Sequence, residues 1–194
     1  LFKNPNVKND EMDSPQFLPQ EGIWIFGYAS LMWHPGFLYL ESHPALLRGY
    51  HRALCVYSTS YRGTPKKPGL VMGLDRGGSC KGRAFLLASA NVPKVMEYLY
   101  SREMDTGTYV PKFLTVKLND GRKVKAYLFL VRREHEQYTG KLSFQETVKL
   151  VCTGVGPKGS SIEYLQNTLD HLNTMGIDEG LLHKIYEKAK KQTE

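Results

Sequence analysis

No apolar run in these 194 residues approaches the length of a membrane span, so neither a spanning helix nor a membrane partner is expected. The first twenty residues also lack the apolar core of a signal peptide, from which a cytoplasmic protein is expected. Cysteine is scarce. Cys55, Cys80 and Cys152 are odd in number, far apart and without a Cys-x-x-Cys, which excludes a disulfide framework and the usual zinc spacings. The six histidines (His34, His43, His51, His135, His171 and His183) contain no i, i+4 pair or other ligand spacing, so no metal is expected. A serine-hydrolase elbow is missing as well, because Gly27-Tyr28-Ala29-Ser30-Leu31 has no second glycine.

What is present has the balance of a folded globular chain. Hydrophobic residues make up 41% and charged residues 23%, and a chain of this length buries one good core. Residues 1–22 are rich in Asn, Asp, Pro, Gln and Lys and have no apolar period, so they read as a loosely attached arm preceding a single domain over 23–194. The formal charge of +7 comes from scattered Lys and Arg, apart from a cluster over Lys184–Lys191. A solvated helix end accounts for that cluster, and no nucleic-acid partner is expected.

The run Ile23-Trp24-Ile25-Phe26 is β-branched and aromatic and reads as a buried strand. Gly27, Ala29 and Ser30 then let the chain turn sharply, and amides freed at such a turn can converge on a carboxylate or an oxyanion. An ordinary exit from a sheet uses the same residue types. A loop or short helix follows over 32–40. Residues 46–58 have strand composition, with Gly49 marking a bulge or a close backbone approach, and Tyr61–Gly69, with two prolines and two glycines, is a basic loop. Residues 70–74 and 80–87 read as the two arms of a hairpin around Asp75-Arg76-Gly77-Gly78-Ser79.

A helix is expected to start after Asn91, with Pro93 in its first turn and Val92, Val95, Met96, Leu99 and Tyr100 on its apolar face. Extending that stripe brings Glu103 onto it near the helix C-terminus. Desolvation and the negative end of the helix dipole would both raise the pKa of a carboxylate there, which makes Glu103 a candidate general acid/base. It could instead lie solvated beyond the last turn, or pair with Arg102. After a loop containing Asp105, Gly107 and Tyr109, residues 113–118 and 124–131 form a hairpin around Asn119-Asp120-Gly121-Arg122, its second strand central. Ser143-Phe144-Gln145-Glu146 and Ser160-Ser161-Ile162-Glu163 are capping boxes. The helix opened by the second buries Ile162, Leu165, Leu169 and Leu172 and stops at Gly176, and Asp178 begins a final basic helix.

Two local matches fail on context. Gly154-Val155-Gly156-Pro157-Lys158-Gly159 spells G-x-G-x-x-G, but too little chain follows to complete a dinucleotide-binding unit, and Ser160 stands where a P-loop needs Lys. Lys81-Gly82-Arg83-Ala84-Phe85-Leu86 approximates an RNA-binding strand motif but places Arg83 where an aromatic ring should stack.

Four segments together resemble the ChaC family of glutathione-specific γ-glutamylcyclotransferases. Phe26-Gly27-Tyr28-Ala29-Ser30-Leu31-Met32-Trp33 resembles its FGYGSLxW loop and Arg62-Gly63-Thr64-Pro65-Lys66-Lys67-Pro68-Gly69 its RGxPxxPG loop. Tyr98-Leu99-Tyr100-Ser101-Arg102-Glu103 resembles its YLxxRE helix end, and Gly156-Pro157-Lys158-Gly159 with Tyr164-Leu165 its GPxGxxxxYL segment. Order and spacing agree over about residues 23–185. The resemblance implies a mixed α/β (α+β) fold, a small barrel-like sheet flanked by helices, and cleavage of glutathione into 5-oxoproline and cysteinylglycine without a cofactor. It implies Glu103 as the base. Phe26, Gly27, Tyr28, Ala29, Ser30 and Leu31 would hold the glutamyl end through the loop's amides, with Tyr109 and Tyr164 as further substrate contacts.

Ala29 departs from the family's glycine, and if that position needs a positive φ its methyl costs on the order of 1 kcal/mol. Two other readings stay open. One is cyclotransferase action on another γ-glutamyl compound, the other a catalytically silent binding protein; an intact Glu103 speaks against silence.

Overall fold

The computed structural model describes residues 22–193, and what was expected of residues 1–21 lies outside them. β1 (Ile23–Gly27), β2 (Glu41–Ser58), β3 (Gly69–Leu87), β4 (Tyr109–Leu118) and β5 (Lys123–Val131) close into a barrel in the order β1-β3-β2-β4-β5. Every neighbouring pair is antiparallel except β1 with β5, which run parallel. The sheet is therefore mixed, and helices flank it as expected. α1 (Val92–Glu103) follows β3, while α2 (Phe144–Thr153), α3 (Ser161–Thr174) and α4 (Gly180–Thr193) follow β5.

β1 is short and buried on both faces. Ile23 and Ile25 point to one side and form a cluster with Val92, Val95 and Leu99 of α1 and with Phe129 of β5. Phe26 points the other way, into the cluster that also takes Leu165, Leu169 and Leu172 of α3 and Leu182 and Ile185 of α4. A strand covered on both sides has no place for polar residues, which is why its sequence reads as an unbroken apolar run.

The segment taken as a hairpin over 70–87 is one continuous strand. β3 pairs with β2 along nearly its whole length, from Ser58 opposite Gly69 to Glu41 opposite Leu86. Gly77 and Gly78 take positive φ angles of 96° and 67° and Gly49 one of 86°, at the register shift between Arg48 and Tyr50. These glycines bend the ribbon through a bulge without reversing it, so the Gly49 expectation holds while the hairpin does not. β2 also starts earlier than its composition suggests, since pairing with β3 recruits Glu41 to Ala45.

Tyr100 leaves the stripe assigned to it and is 57% exposed, and Asn91 makes no side-chain cap. Tyr109 opens β4 and is not part of the preceding loop. Both capping boxes form, Ser143 with Glu146 and Ser160 with Glu163, and the last helix starts at Gly180, just beyond Asp178. The G-x-G-x-x-G look-alike makes the small ladder of β6 (Val155–Gly156) and β7 (Gly159–Ser160).

Because the α2 cap reciprocates two hydrogen bonds, Ser143→Ala should lower stability by about 1 kcal/mol. Urea denaturation should show a lower midpoint with an unchanged slope.

Candidate active site

A cleft of about 660 Å³ opens where the turn after β1, the end of α1, the β2–β3 loop and the start of α3 meet. Gly27 starts the turn by close packing: a Cβ on it would lie 3.0 Å from Leu31 Cβ and 3.1 Å from Met32 N. A side chain there would press on the backbone that folds back beneath it, so glycine gives the turn its closest packing. Met32 N–H then donates to Ala29 C=O at 2.8 Å and His34 N–H to Ser30 C=O at 2.8 Å. Ala29 has φ −136°, so its methyl meets no left-handed strain and the cost foreseen for a positive φ does not arise.

Tyr28, Ala29, Ser30, Leu31, Glu103, Tyr109 and Tyr164 all line the cleft. Phe26 and Gly27 do not. Phe26 is fully buried in the barrel core, and Gly27 shapes the turn from beneath.

Leu99 is buried against β1, and one helical turn further on Glu103 follows it to the cleft wall as the last residue of α1. Its side chain is 18% exposed and pairs with Arg102 Nε at 3.2 Å. Burial and the Arg102 pairing thus occur together. Burial is the larger effect and raises the Glu103 pKa, while the neighbouring guanidinium and its hydrogen bond pull it back part of the way. The rest of Arg102 reaches across the cleft edge. Nη2 donates to Ser30 Oγ at 2.8 Å, and Nη1 donates to Tyr98 Oη at 2.8 Å and to His34 C=O at 2.9 Å. One guanidinium ties the carboxylate to the turn that faces it.

Three phenols complete the inner wall. Tyr109 Oη donates to Met72 C=O at 2.8 Å, and Tyr164 Oη accepts from Met72 N–H at 3.2 Å. Burial raises the pKa of Tyr28 and Tyr109 well above the ordinary phenol value and pushes Tyr164 up to about 12, and the Glu103 carboxylate adds to each. All three stay protonated at neutral pH.

The basic loop forms the opposite lip. Tyr61 Oη donates to Asp105 Oδ2 at 3.1 Å, just past α1. Lys158 N–H donates to Tyr61 C=O at 2.9 Å, and Ser161 Oγ donates to Arg62 C=O at 3.2 Å. The Arg62 guanidinium lies 5.5 Å from the Tyr164 ring centroid. Among the described residues, no group of three or more His, Cys, Asp or Glu is placed to hold a metal ion.

Several lining residues escaped the sequence reading, among them Thr108, Gln137 and Asn167. Nothing in a single sequence distinguishes them from other polar loop and helix residues. Arg52 did leave a signal. It sits in an apolar run on the same face as Leu54, a core position where a charge needs a partner.

A family model described as ChaC-like protein matches residues 23–192. The glutathione-specific γ-glutamylcyclotransferase of Escherichia coli (strain K12) is 36% identical over 174 residues, covering 89% of this chain and 75% of that one. The human glutathione-specific γ-glutamylcyclotransferase 1 is 31% identical over 180 residues, 89% of this chain and 81% of the human protein. In three dimensions the chain is similar to a γ-glutamyl cyclotransferase specific to glutathione from yeast, with a TM-score of 0.80 at 23% identity over 88% of this chain and 96% of that one. That likeness concerns the fold.

Arg102 opposes the effect of burial on Glu103, so Arg102→Gln should move the Glu103 titration to higher pH. Carbon-13 NMR of the glutamate carboxyl reads this directly, and an unmoved titration would remove Arg102 from the account.

Proposed function

This chain belongs to the ChaC-like protein family, and from that premise we propose that it converts glutathione into 5-oxoproline and cysteinylglycine in the cleft between the β1 turn and the end of α1. The observation that carries the reading is Glu103, a carboxylate raised in pKa by burial and held opposite the turn. Relatives named as glutathione-specific γ-glutamylcyclotransferases match most of the chain, which supports the reading.

The reaction needs little from the enzyme by way of encounter. The α-amino group and the γ-carbonyl carbon belong to the same glutamyl residue, and their union closes a five-membered ring. Glu103 takes a proton from the α-ammonium, and the free amine attacks the γ-carbonyl carbon. As the old C–N bond breaks, the protonated carboxyl passes that proton to the departing nitrogen. The carboxylate then takes the second proton from the ring nitrogen and delivers it to the same leaving amine. Two protons have moved from one nitrogen to the other and Glu103 is regenerated. A raised pKa suits a group that must both accept and return a proton near neutrality.

The amides of the turn over 28–31, whose residues line the cleft, hold the glutamyl carboxylate, and the turn's fixed shape supplies their orientation. Tyr164, whose oxygen already accepts from Met72 N–H, keeps its own proton to donate toward charge developing on the carbonyl oxygen. Cys55, Cys80 and Cys152 are free thiols. That supports a cytoplasmic location, the compartment in which glutathione keeps thiols reduced.

Incubation with glutathione and with γ-glutamyl-alanine, following 5-oxoproline from each, tests the reading. Release from glutathione is expected. Release from the dipeptide alone would favour another γ-glutamyl substrate, and release from neither a silent member.

Glu103→Gln should abolish turnover while substrate still binds. The fold raises the Glu103 pKa, so it binds that proton more tightly than the unfolded chain does. The stabilising contribution is complete below the ordinary glutamate pKa and is lost as pH rises through the folded value, which leaves a cost at neutral pH. Glutamine is neutral throughout. Its melting temperature at pH 7 should therefore equal or exceed that of the native protein, and the difference should shrink on acidification. In the native enzyme, the acid limb of kcat/KM should lie above the ordinary glutamate pKa.

Ala29→Val brings a β-branched side chain against the bound glutamyl group and should raise KM with the melt retained, whereas Ala29→Gly should change kcat/KM only modestly. Unchanged kinetics and an unchanged melt in the valine variant would mean that this turn is not the glutamyl site.

A further inference from the structure

Arg52 is a charged residue in the apolar interior, its side chain 0% exposed. It comes from the middle of β2, opposite Leu74 of β3, and its donors are spent on three separate segments. Nε donates to the carbonyl of Tyr28 in the β1 turn, Nη1 to Glu179 Oε1 just before α4, and Nη2 to Lys81 C=O of β3 at 2.6 Å. Nη2 also lies 3.8 Å from the sulfur of Met32. The Glu179 side chain is 28% exposed, so the pair is anchored at the surface by its acid and buried at its base.

The bond to Tyr28 has a directional consequence. In a trans peptide the carbonyl of one residue and the N–H of the next point to opposite sides of the chain, and there are no cis peptide bonds among the described residues. Arg52 grips the Tyr28 carbonyl from the core. The Ala29 N–H therefore points away from the core, and Ala29 lines the cleft. A peptide flip there would swing the carbonyl oxygen toward an incoming carboxylate and leave the guanidinium with an unmet donor in an apolar surrounding, a strongly unfavourable exchange.

The geometry points to Arg52, oriented by Glu179, as a positioning residue for substrate binding that sets the Tyr28–Ala29 peptide so its N–H faces the glutamyl carboxylate. This rests on the reading that the turn holds that carboxylate. Arg52 touches no substrate. Its effect passes through one peptide plane, and it belongs to KM more than to the chemical step, which is the task of Glu103.

The test compares glutathione with the analogue whose glutamyl α-carboxylate is a carboxamide, using native enzyme, Arg52→Lys and Glu179→Gln, each first shown to be folded by its melt. Lysine keeps the charge but lacks the fork that reaches three acceptors. Native enzyme should favour glutathione over the amide by about ten- to hundredfold in kcat/KM, the range expected of charge-assisted hydrogen bonds. In Arg52→Lys this preference should collapse to within a few fold of unity, through a rise in KM for glutathione with kcat largely kept. Glu179→Gln should move in the same direction by less, and it carries the comparison alone if the lysine variant does not fold. Should folded variants keep both KM and the preference for the carboxylate while only kcat or the active fraction falls, Arg52 is a structural tie and the inference is overturned. If native enzyme shows no preference, the carboxylate is not held at the turn and the inference falls with that reading. This last outcome is visible without any variant.

Discussion

The arrangement depends on the double burial of β1. Ile23–Gly27 pairs with β3 on one edge and with β5 on the other, so it closes the barrel and has no free edge. One face rests against α1 and the other enters the core. The turn after Gly27 thus starts from a fixed point, and so does Glu103, because the residues that seat α1 on β1 also set where the helix ends. Leu31 of the turn belongs to the same cluster as Leu99. The distance across the site is set by apolar packing, and the polar groups are carried on it.

Placing a carboxylate there works against stability and in favour of the role proposed for it. Two influences act on Glu103. Burial raises its pKa, and the adjoining Arg102 lowers it through its charge and its hydrogen bond. Burial prevails. Without Arg102 burial would act unopposed and the acid would hold its proton more strongly. Full exposure would instead leave it ionised and a poor donor to the departing nitrogen. Because the same guanidinium also bonds Ser30, Tyr98 and the His34 carbonyl, tuning the acid and holding the turn are one contact network, and a change at Arg102 disturbs both.

The parts legible in the sequence were those with local causes. The capping boxes at Ser143 and Ser160 formed because each needs only residues within one helical turn, and the Asn119–Arg122 turn joined β4 to β5 for the same reason. Glu103 could be placed because helical period carries a stripe forward predictably. The same reasoning overreached at Tyr100, one position too wide for the buried face. The hairpin assigned to 70–87 failed on chemistry that two structures share. Adjacent glycines at positive φ serve a tight turn and a bulge equally well, and only the partner strand β2 decides between them. Arg52 showed itself only as a charge on a core face, and its acceptors stayed out of view because Tyr28, Lys81 and Glu179 come from three separated stretches of chain.

An intramolecular cyclisation changes what rigidity is for. When nucleophile and electrophile already share a residue, the enzyme gains little by raising their encounter rate; the remaining barrier lies in rotamer freedom and proton transfer. Binding the glutamyl carboxylate fixes one end of a flexible chain, and this helps only if the binding group is itself immobile, for otherwise the freedom passes from substrate to protein. The turn is held from both sides. Arg52 grips the Tyr28 carbonyl from the core, and Arg102 holds Ser30 and the His34 carbonyl from the cleft edge. Two guanidiniums on a turn this short would be excessive if it only had to leave a strand. They are in proportion if its amides must keep a carboxylate in one orientation while the neighbouring amine finds the carbonyl carbon.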